Sequence, residues 1–489
     1  MGLPNVLLVS TYDLGHQPFG LASPARWLRD MGATVRCVDL AVDHLDDACV
    51  READLVACYV PMHTATRLAA SVARRVVAVN PGAQLCFYGL YAPMNEGYLR
   101  QLGAQTILGG EFEEGLAMLV RRLGDAPARQ PGAGDGQPAG EPSAPGAGTG
   151  QREPMVSLAR QQFLVPDRSD LLDLTRYAHL IDANGRARTT GYTEATRGCK
   201  HVCRHCPIVP VYGGRFRVVQ RDVVLADIEN LVHAGAEHIT FGDPDFFNGP
   251  AHALSIVAAL HERFPAVSYD VTIKIEHLVE HARHIPTLAA TGCVLVTSAV
   301  ESFDDRVLEI LDKRHTMRDF AQAWHALNAA GIAMNPTFVA FTPFTTLDGY
   351  IDFLGVIRGM GLVPNVAPVQ YAIRLLLPSG SLLLELAETQ RAIEGFDQDL
   401  LCYRWLHPDK RMDELQREVS GYIQRAGSAP RHEIFNGVLR RALRAAGRDR
   451  EFVPSPPPAS TRQVPRMDEP WYCCAEPTDI QLAAVETKS

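Results

Sequence analysis

Short apolar runs alternate with helical stretches twice along the chain, once on each side of a segment with no hydrophobic period. Val6–Ser10 opens the first series and reads as a buried strand, because such a run suits a parallel sheet covered on both faces. Pro24 to Met31 predicts a helix ended by Gly32, followed by strands at Thr34–Val38, Leu55–Tyr59 and Gln84–Tyr88. A last unit, Ala104–Gly115, leads into a helix to Leu123. This α/β alternation over residues 1–123 predicts a doubly wound, Rossmann-like domain with any ligand at the carboxyl ends of the strands.

Residues 124–154 collapse to Gly, Pro, Ala, Gln and Ser, a composition that buries too little apolar surface to offset its ordering entropy. They are expected to form a disordered linker. The second series fills 155–375, with strands expected at Thr193–Thr196, His238–Phe241, Ser268–Ile273, Val294–Val300, Ala333–Phe341 and Ala367–Arg374. Six strands with helices between them suit a partial (β/α)6 barrel, whose chemistry belongs at the carboxyl ends of its strands. Residues 376–450 read as mostly helical, for example Glu433–Ala446. Residues 451–489 read as a Pro-rich spacer (Pro454–Pro458) and a terminal tail.

The 489 residues suffice for two or three domains of roughly 100–200 residues. A net charge of −9 argues against a nucleic-acid or anionic-membrane partner. No apolar stretch is long enough to span a bilayer. The N-terminus lacks a basic leader and a cleavage site, and reads as a first strand. The 11 cysteines lack a compact disulfide pattern, which points to a reducing cytoplasm.

Three of those cysteines carry the chemistry. Cys199, Cys203 and Cys206 stand at C-x3-C-x2-C spacing, close enough to converge on one face of an iron–sulfur cube held by thiolates. Three ligands leave one iron of a [4Fe-4S] cluster open to a substrate or cofactor. A structural zinc site wants a fourth ligand at a matching spacing, and His201 and His205 are interleaved too closely to supply one. A disulfide reading fails on the odd triplet.

This stretch resembles the radical S-adenosylmethionine (SAM) superfamily across about two hundred residues. The resemblance implies that SAM chelates the open iron and that one electron cleaves one of its carbon–sulfur bonds. It further implies that His205 lies near the adenine, and that Gly242 and Asp243, ending the second strand, hold the SAM amino group in place of a more usual Glu. Ser298 and Glu301, ending the fourth strand, would reach the ribose and amino acid moiety. Asp243 also reads as an N-cap or turn residue, and Lys313 as a surface residue of its helix.

The N-terminal part resembles the cobalamin-binding-type domain that precedes many radical SAM enzymes, through Pro18–Ala22, Gly32 and Gly109–Glu113. The cobalt-ligand motif Asp-x-His-x-x-Gly is not intact. His16 follows the first strand, where a lower ligand would arise, but its spacing differs. Relatives keep this domain with and without cobalamin, so both alternatives stand.

The end of the chain, Cys473-Cys474-Ala-Glu-Pro477, is similar to that of the CUAEP/CCAEP-tail radical SAM proteins, some of which carry selenocysteine there. That substitution favours a redox, nucleophilic or soft-element role for Cys473 and Cys474. Adjacent cysteines close only a strained, easily reduced disulfide, and as dithiols they chelate soft ions such as trivalent arsenic. Trp471 and Tyr472 would anchor the tail, with Glu476 as a local base or a surface carboxylate. Cys37, Cys58, Cys86 and Cys293 read as core packing.

The expected function is a radical SAM transferase acting on a small molecule, with a reducing partner such as flavodoxin or ferredoxin. Cobalamin, if held, would favour methyl transfer. The alternatives are carbon–arsenic or carbon–selenium bond formation with the tail cysteines presenting the soft atom, and a non-catalytic iron–sulfur sensor or electron carrier.

Overall fold

The computed structural model of the chain describes residues 3–125, 153–456 and 463–469. The expected linker falls almost wholly outside them, as do Trp471, Tyr472, Cys473, Cys474 and Glu476. The first body is a six-stranded sheet of β1 (Asn5–Ser10), β2 (Thr34–Asp39), β3 (Leu55–Tyr59), β4 (Gln84–Tyr88), β5 (Thr106–Gly110) and β6 (Val156–Ser157). Its order is β2-β1-β3-β4-β5-β6, parallel throughout. Successive side chains point to opposite faces, so Leu7, Val9, Val56 and Phe87 build one core layer and Val6, Leu8, Ala57 and Tyr88 the other.

The first helix runs Phe19–Asp30 and so begins before Pro24, where the sequence places its start. Pro24 has no N–H to offer the carbonyl of Gly20. That carbonyl accepts instead from the hydroxyl of Tyr88 at 2.8 Å, which lets the helix run through the proline. After the linker the chain returns to the same sheet as β6, beside Gly109 and Gly110.

The second body is built on β7 (His179–Ile181), β8 (Ala187–Thr193), β11 (His238–Phe241), β12 (Ser268–Thr272), β13 (Cys293–Glu301), β14 (Ala333–Phe338) and β17 (Arg466–Met467). A short antiparallel pair, β9 (Thr196–Gly198) with β10 (Phe216–Val218), follows β8. The order is β14-β13-β12-β11-β8-β7-β17, with β8 through β14 parallel and β7 and β17 added antiparallel at one edge.

The sixth strand expected at Ala367–Arg374 does not form. Pro368 opens a single 3-10 turn, Pro368–Tyr371, and only a bridge between Phe341 and Arg374 remains. The side chain of Gln370 accepts the Phe338 N–H at 2.8 Å, in the place of a ladder bond. The region read as helical contains the helices Lys410–Ala426 and Arg431–Ala445, but also a hairpin of β15 (Ile393–Asp397) and β16 (Cys402–Trp405). The hairpin tip reaches the first body, where the Leu400 carbonyl lies 2.6 Å from the His63 ring. No helix among the described residues is long and apolar enough to cross a membrane.

Candidate active site

The carboxyl ends of both sheets face a common cavity of about 1620 Å³. Cys199, Cys203 and Cys206 stand on its wall, none of them in a disulfide, Cys203 buried and the other two partly so. Gly198 sets the loop in motion at φ +75°, with the Tyr212 ring only 2.3 Å from where a Cβ would sit. Burial pushes the Cys199 thiol up to about 12, so a thiolate there needs a compensating positive centre. Lys313 supplies charge close by: although burial opposes its ionisation, Glu301 and the sulfurs of Cys203 and Cys206 hold it protonated. Three thiols lining one cavity beside an ammonium fit an anionic iron–sulfur cluster.

Lys313 is thus a correction to the sequence reading, which placed it on the surface. It is 3% exposed and pairs with Glu301 at 3.4 Å. Glu301 also meets Nε2 of His205 at 3.1 Å. Burial pushes the Glu301 carboxyl up, but Lys313 and His205 outweigh it and hold it down to about 2. Its φ of 70° coincides with a break in the β13–β14 register, a bulge that re-aims the side chain into the cavity. Arg204 caps the carbonyls of Glu309 and Ile310, which ties the cysteine loop to the helix preceding Lys313.

Gly242 and Asp243 also line the cavity. A Cβ on Gly242 would lie 1.8 Å from the Tyr192 hydroxyl, so only glycine permits that approach. Asp243 accepts from the Ala195 N–H at 2.9 Å and the Thr196 hydroxyl at 2.5 Å, bracing the turn that launches the cysteine loop. Burial pushes its carboxyl up to about 7 despite those bonds. Ser298 departs from expectation. On β13 its neighbours Thr297 and Ala299 face the cavity, whereas Ser298 turns away and donates to the Ile273 carbonyl at 2.7 Å. His16 does line the cavity, but its ring stacks on Tyr192 of the barrel at 4.7 Å. Burial brings its pKa down to about 4, leaving the ring neutral.

Two polar clusters escaped the sequence reading. Arg197, two residues before Cys199, is clamped by Glu194 at 2.6 Å, Glu113 at 2.7 Å and Glu111 at 3.4 Å, with the Phe19, Phe112 and Phe163 rings around it. Glu111 and Glu113 belong to the Gly109–Glu113 turn, so this arginine joins the two bodies. Asp245, buried, lies 2.6 Å from His277 and 3.5 Å from His201, whose Nε2 is 3.2 Å from that of His277. Only the pairing across distant segments identifies either cluster.

Residues 193–347 match the family model described as the Radical SAM superfamily. Over these residues the chain carries a radical SAM domain. The cobalamin-dependent S-adenosylmethionine radical enzyme OxsB, solved with aqua-cobalamin and S-adenosylmethionine, is similar over 91% of this chain and 72% of its own, at 14% identity and a TM-score of 0.67. The radical S-adenosylmethionine methyltransferase TsrM from Kitasatospora setae, solved with tryptophan substrate and the SAM analogue aza-SAM, covers 78% of this chain and 76% of its own. Its identity is 19% and its TM-score 0.61. At these identities the likeness shows the two-body fold. No curated protein matches the chain.

Proposed function

We propose that this radical SAM domain holds a [4Fe-4S] cluster on Cys199, Cys203 and Cys206, binds SAM, and modifies a small molecule in the cavity between the two bodies. Cobalamin-dependent methyl transfer is the foremost reaction. The observation that carries this reading is that Cys199, Cys203, Cys206, Lys313, Asp243 and Glu301 all line one cavity. When bound, the cluster would supply one electron for cleaving a carbon–sulfur bond of SAM.

The chain's own residues divide the remaining work. Asp243 and Glu301 offer carboxylates to the SAM ammonium, and His205 is oriented by Glu301. Lys313 offsets the negative charge of the thiolates. Tyr59, Met62, Tyr91 and Phe112 wall the part of the cavity over the first sheet. Those walls suit the flat face of a corrinoid. Gly20 leaves no slot beneath, because the Tyr59 ring lies 2.2 Å from where its Cβ would be. A corrinoid would be held over the strand ends, where Asp13 and Gly110 line the cavity. OxsB and TsrM, by their descriptions, bind such groups, which supports the reading by fold. Reduction would come from a flavodoxin- or ferredoxin-type protein, and nine free cysteines among the described residues suit a reducing compartment such as the cytoplasm. An electron carrier has no use for a cavity of this size.

The rival is carbon–arsenic or carbon–selenium bond formation on Cys473 and Cys474. One observation favours a role for the tail. β17 runs up the barrel edge, and Glu469, on the cavity wall, accepts from the Tyr12 hydroxyl at 2.6 Å. Cys473 is four residues on, within roughly 14 Å of extended chain.

Anaerobic reconstitution should give about four irons per chain, and replacing Cys199, Cys203 and Cys206 with Ala should remove both cluster and SAM cleavage. A triple variant that still cleaves SAM would sink the assignment. S-adenosylhomocysteine among the products supports methyl transfer; methylthioadenosine would point to transfer of the aminocarboxypropyl group.

A further inference from the structure

The cavity continues past the cysteines into the barrel. Tyr192, Thr240, Asp270, Thr297, Asn335 and Thr337 line a polar lumen, and Arg417, Arg431 and Arg466 also belong to the cavity wall. Strand register and neighbouring contacts place two of these arginines, Arg466 and Arg431, at its far end. Arg466 pairs with Ile181, and Ile181 with Ala187, the first residue of β8. Thr193 is six residues further up (193 − 187), about 20 Å at about 3.3 Å per residue. Arg431 donates to the Pro364 carbonyl at 2.5 Å, and the adjacent Asn365 holds the carbonyl of Met334 near the start of β14. Both arginines therefore stand at the amino ends of the strands, opposite the cysteines.

None of the three is ion-paired among the described residues; Asp468, two residues from Arg466 on the same lining, lies 3.6 Å from His179 instead. Arg374 has the carboxylate of Asp413 at 2.6 Å. Among the described residues, Arg431 bonds only the Pro364 carbonyl, Arg466 the Gln463 side-chain amide at 2.9 Å, and Arg417 the Asp413 backbone carbonyl at 3.3 Å. Arg431 also opens the helix Arg431–Ala445, whose N-cap Pro430 gives no side-chain cap. The free N–H groups and positive pole of that helix favour an anion, not a guanidinium. Burial and the like charge of Arg466 bring Arg431 down to about 10. The Tyr371 hydroxyl, in the field of Arg431, is buried with no hydrogen-bond partner. Cations gathered without a counter-charge are unfavourable when empty and satisfied by a charge-assisted bond to an oxyanion.

We propose that this end of the lumen is an oxyanion site, in which Arg431 and Arg466 bind a phosphate or carboxylate group of the substrate. The substrate's anionic end then lies at the floor of the barrel and its reacting end points towards the cysteines. Assigning the anion to the substrate rests on the radical SAM reading of the cavity; oxyanion binding itself does not.

The test uses the full chain without reconstitution. Inorganic phosphate and malonate are titrated by calorimetry at low, constant ionic strength into wild type, Arg431→Gln and Arg466→Gln. At least one probe should bind saturably, weakened roughly tenfold or more by either substitution. Phosphate tightest identifies a phosphoryl substrate, and malonate tightest a carboxylate. Because the charge of Arg466 opposes that of Arg431, Arg466→Gln should melt higher than wild type in oxyanion-free buffer, yet lose the rise that the bound oxyanion gives. A guanidinium acting as a structural strut would do the opposite. No saturable binding of either probe, binding unaffected by both substitutions, or a lower melting temperature for Arg466→Gln overturns the proposal. SAM binding by reconstituted wild type is measured beside it. Its failure alone would overturn the radical SAM reading and leave the oxyanion site standing.

Discussion

Replacing Arg197 by Met tests how the two bodies are joined. The guanidinium is 7% exposed and serves Glu194, Glu113 and Glu111 at 2.6, 2.7 and 3.4 Å. Methionine keeps most of the volume between the Phe19, Phe112 and Phe163 rings but leaves three buried carboxylates without their cation. Breaking one buried pair by removing a single partner costs about 3–5 kcal/mol. The three contacts share one charge, so they are not summed. The effect has a pH signature. Burial pushes Glu111 up to about 7 even with Arg197 present, and Arg197 is what holds Glu113 below its ordinary range against burial. Without it, all three folded-state pKa values rise further. A carboxyl whose folded pKa is raised contributes stability that is present at low pH and lost as pH rises through that value. The deficit of Arg197→Met should therefore be larger at pH 8 than at pH 5.5. Urea unfolding of the full chain at both pH values, followed by tryptophan fluorescence, measures it. A deficit below about 1 kcal/mol, or one equal at the two pH values, would refute this account of the joint.

Other measurements bear on the site. Asp243, pushed up to about 7, pairs with the SAM ammonium only when ionised, so SAM affinity should fall about tenfold per pH unit below 7 and stay flat above it; Asp243→Asn should abolish that slope, and an unchanged slope in the variant would remove Asp243 from the pocket. Hydroxocobalamin should be taken up with a spectral shift, and His16→Ala should leave the spectrum unaltered, because His16 is stacked on Tyr192; an altered spectrum would mean that His16 leaves that stack to bind cobalt. Cys473→Ser with Cys474→Ser should retain SAM cleavage and lose product formation; full multiple turnover would exclude the pair from the chemistry.

Local sequence determined what depends on near neighbours. The strands Leu55–Tyr59, Gln84–Tyr88 and His238–Phe241 were legible to the residue, because short apolar runs bounded by polar turns have few other ways to be buried. The cysteine loop was legible because its three thiols are ligand-spaced within one turn of chain. Where local pattern failed, a distant group had supplied what the chain lacked. Tyr88 satisfied the carbonyl that Pro24 could not, and Gln370 took a ladder position from the strand expected at Ala367–Arg374. Lys313 and Ser298 show the same limit in side chains, since strand and helix periods say which residues share a face but not what covers it. Arg197 with Glu111 and Glu113, and Arg431 with Arg466, join residues tens of positions apart. Charge compensation inside a protein is a property of three-dimensional distance and burial, which is why only the tertiary structure decided it.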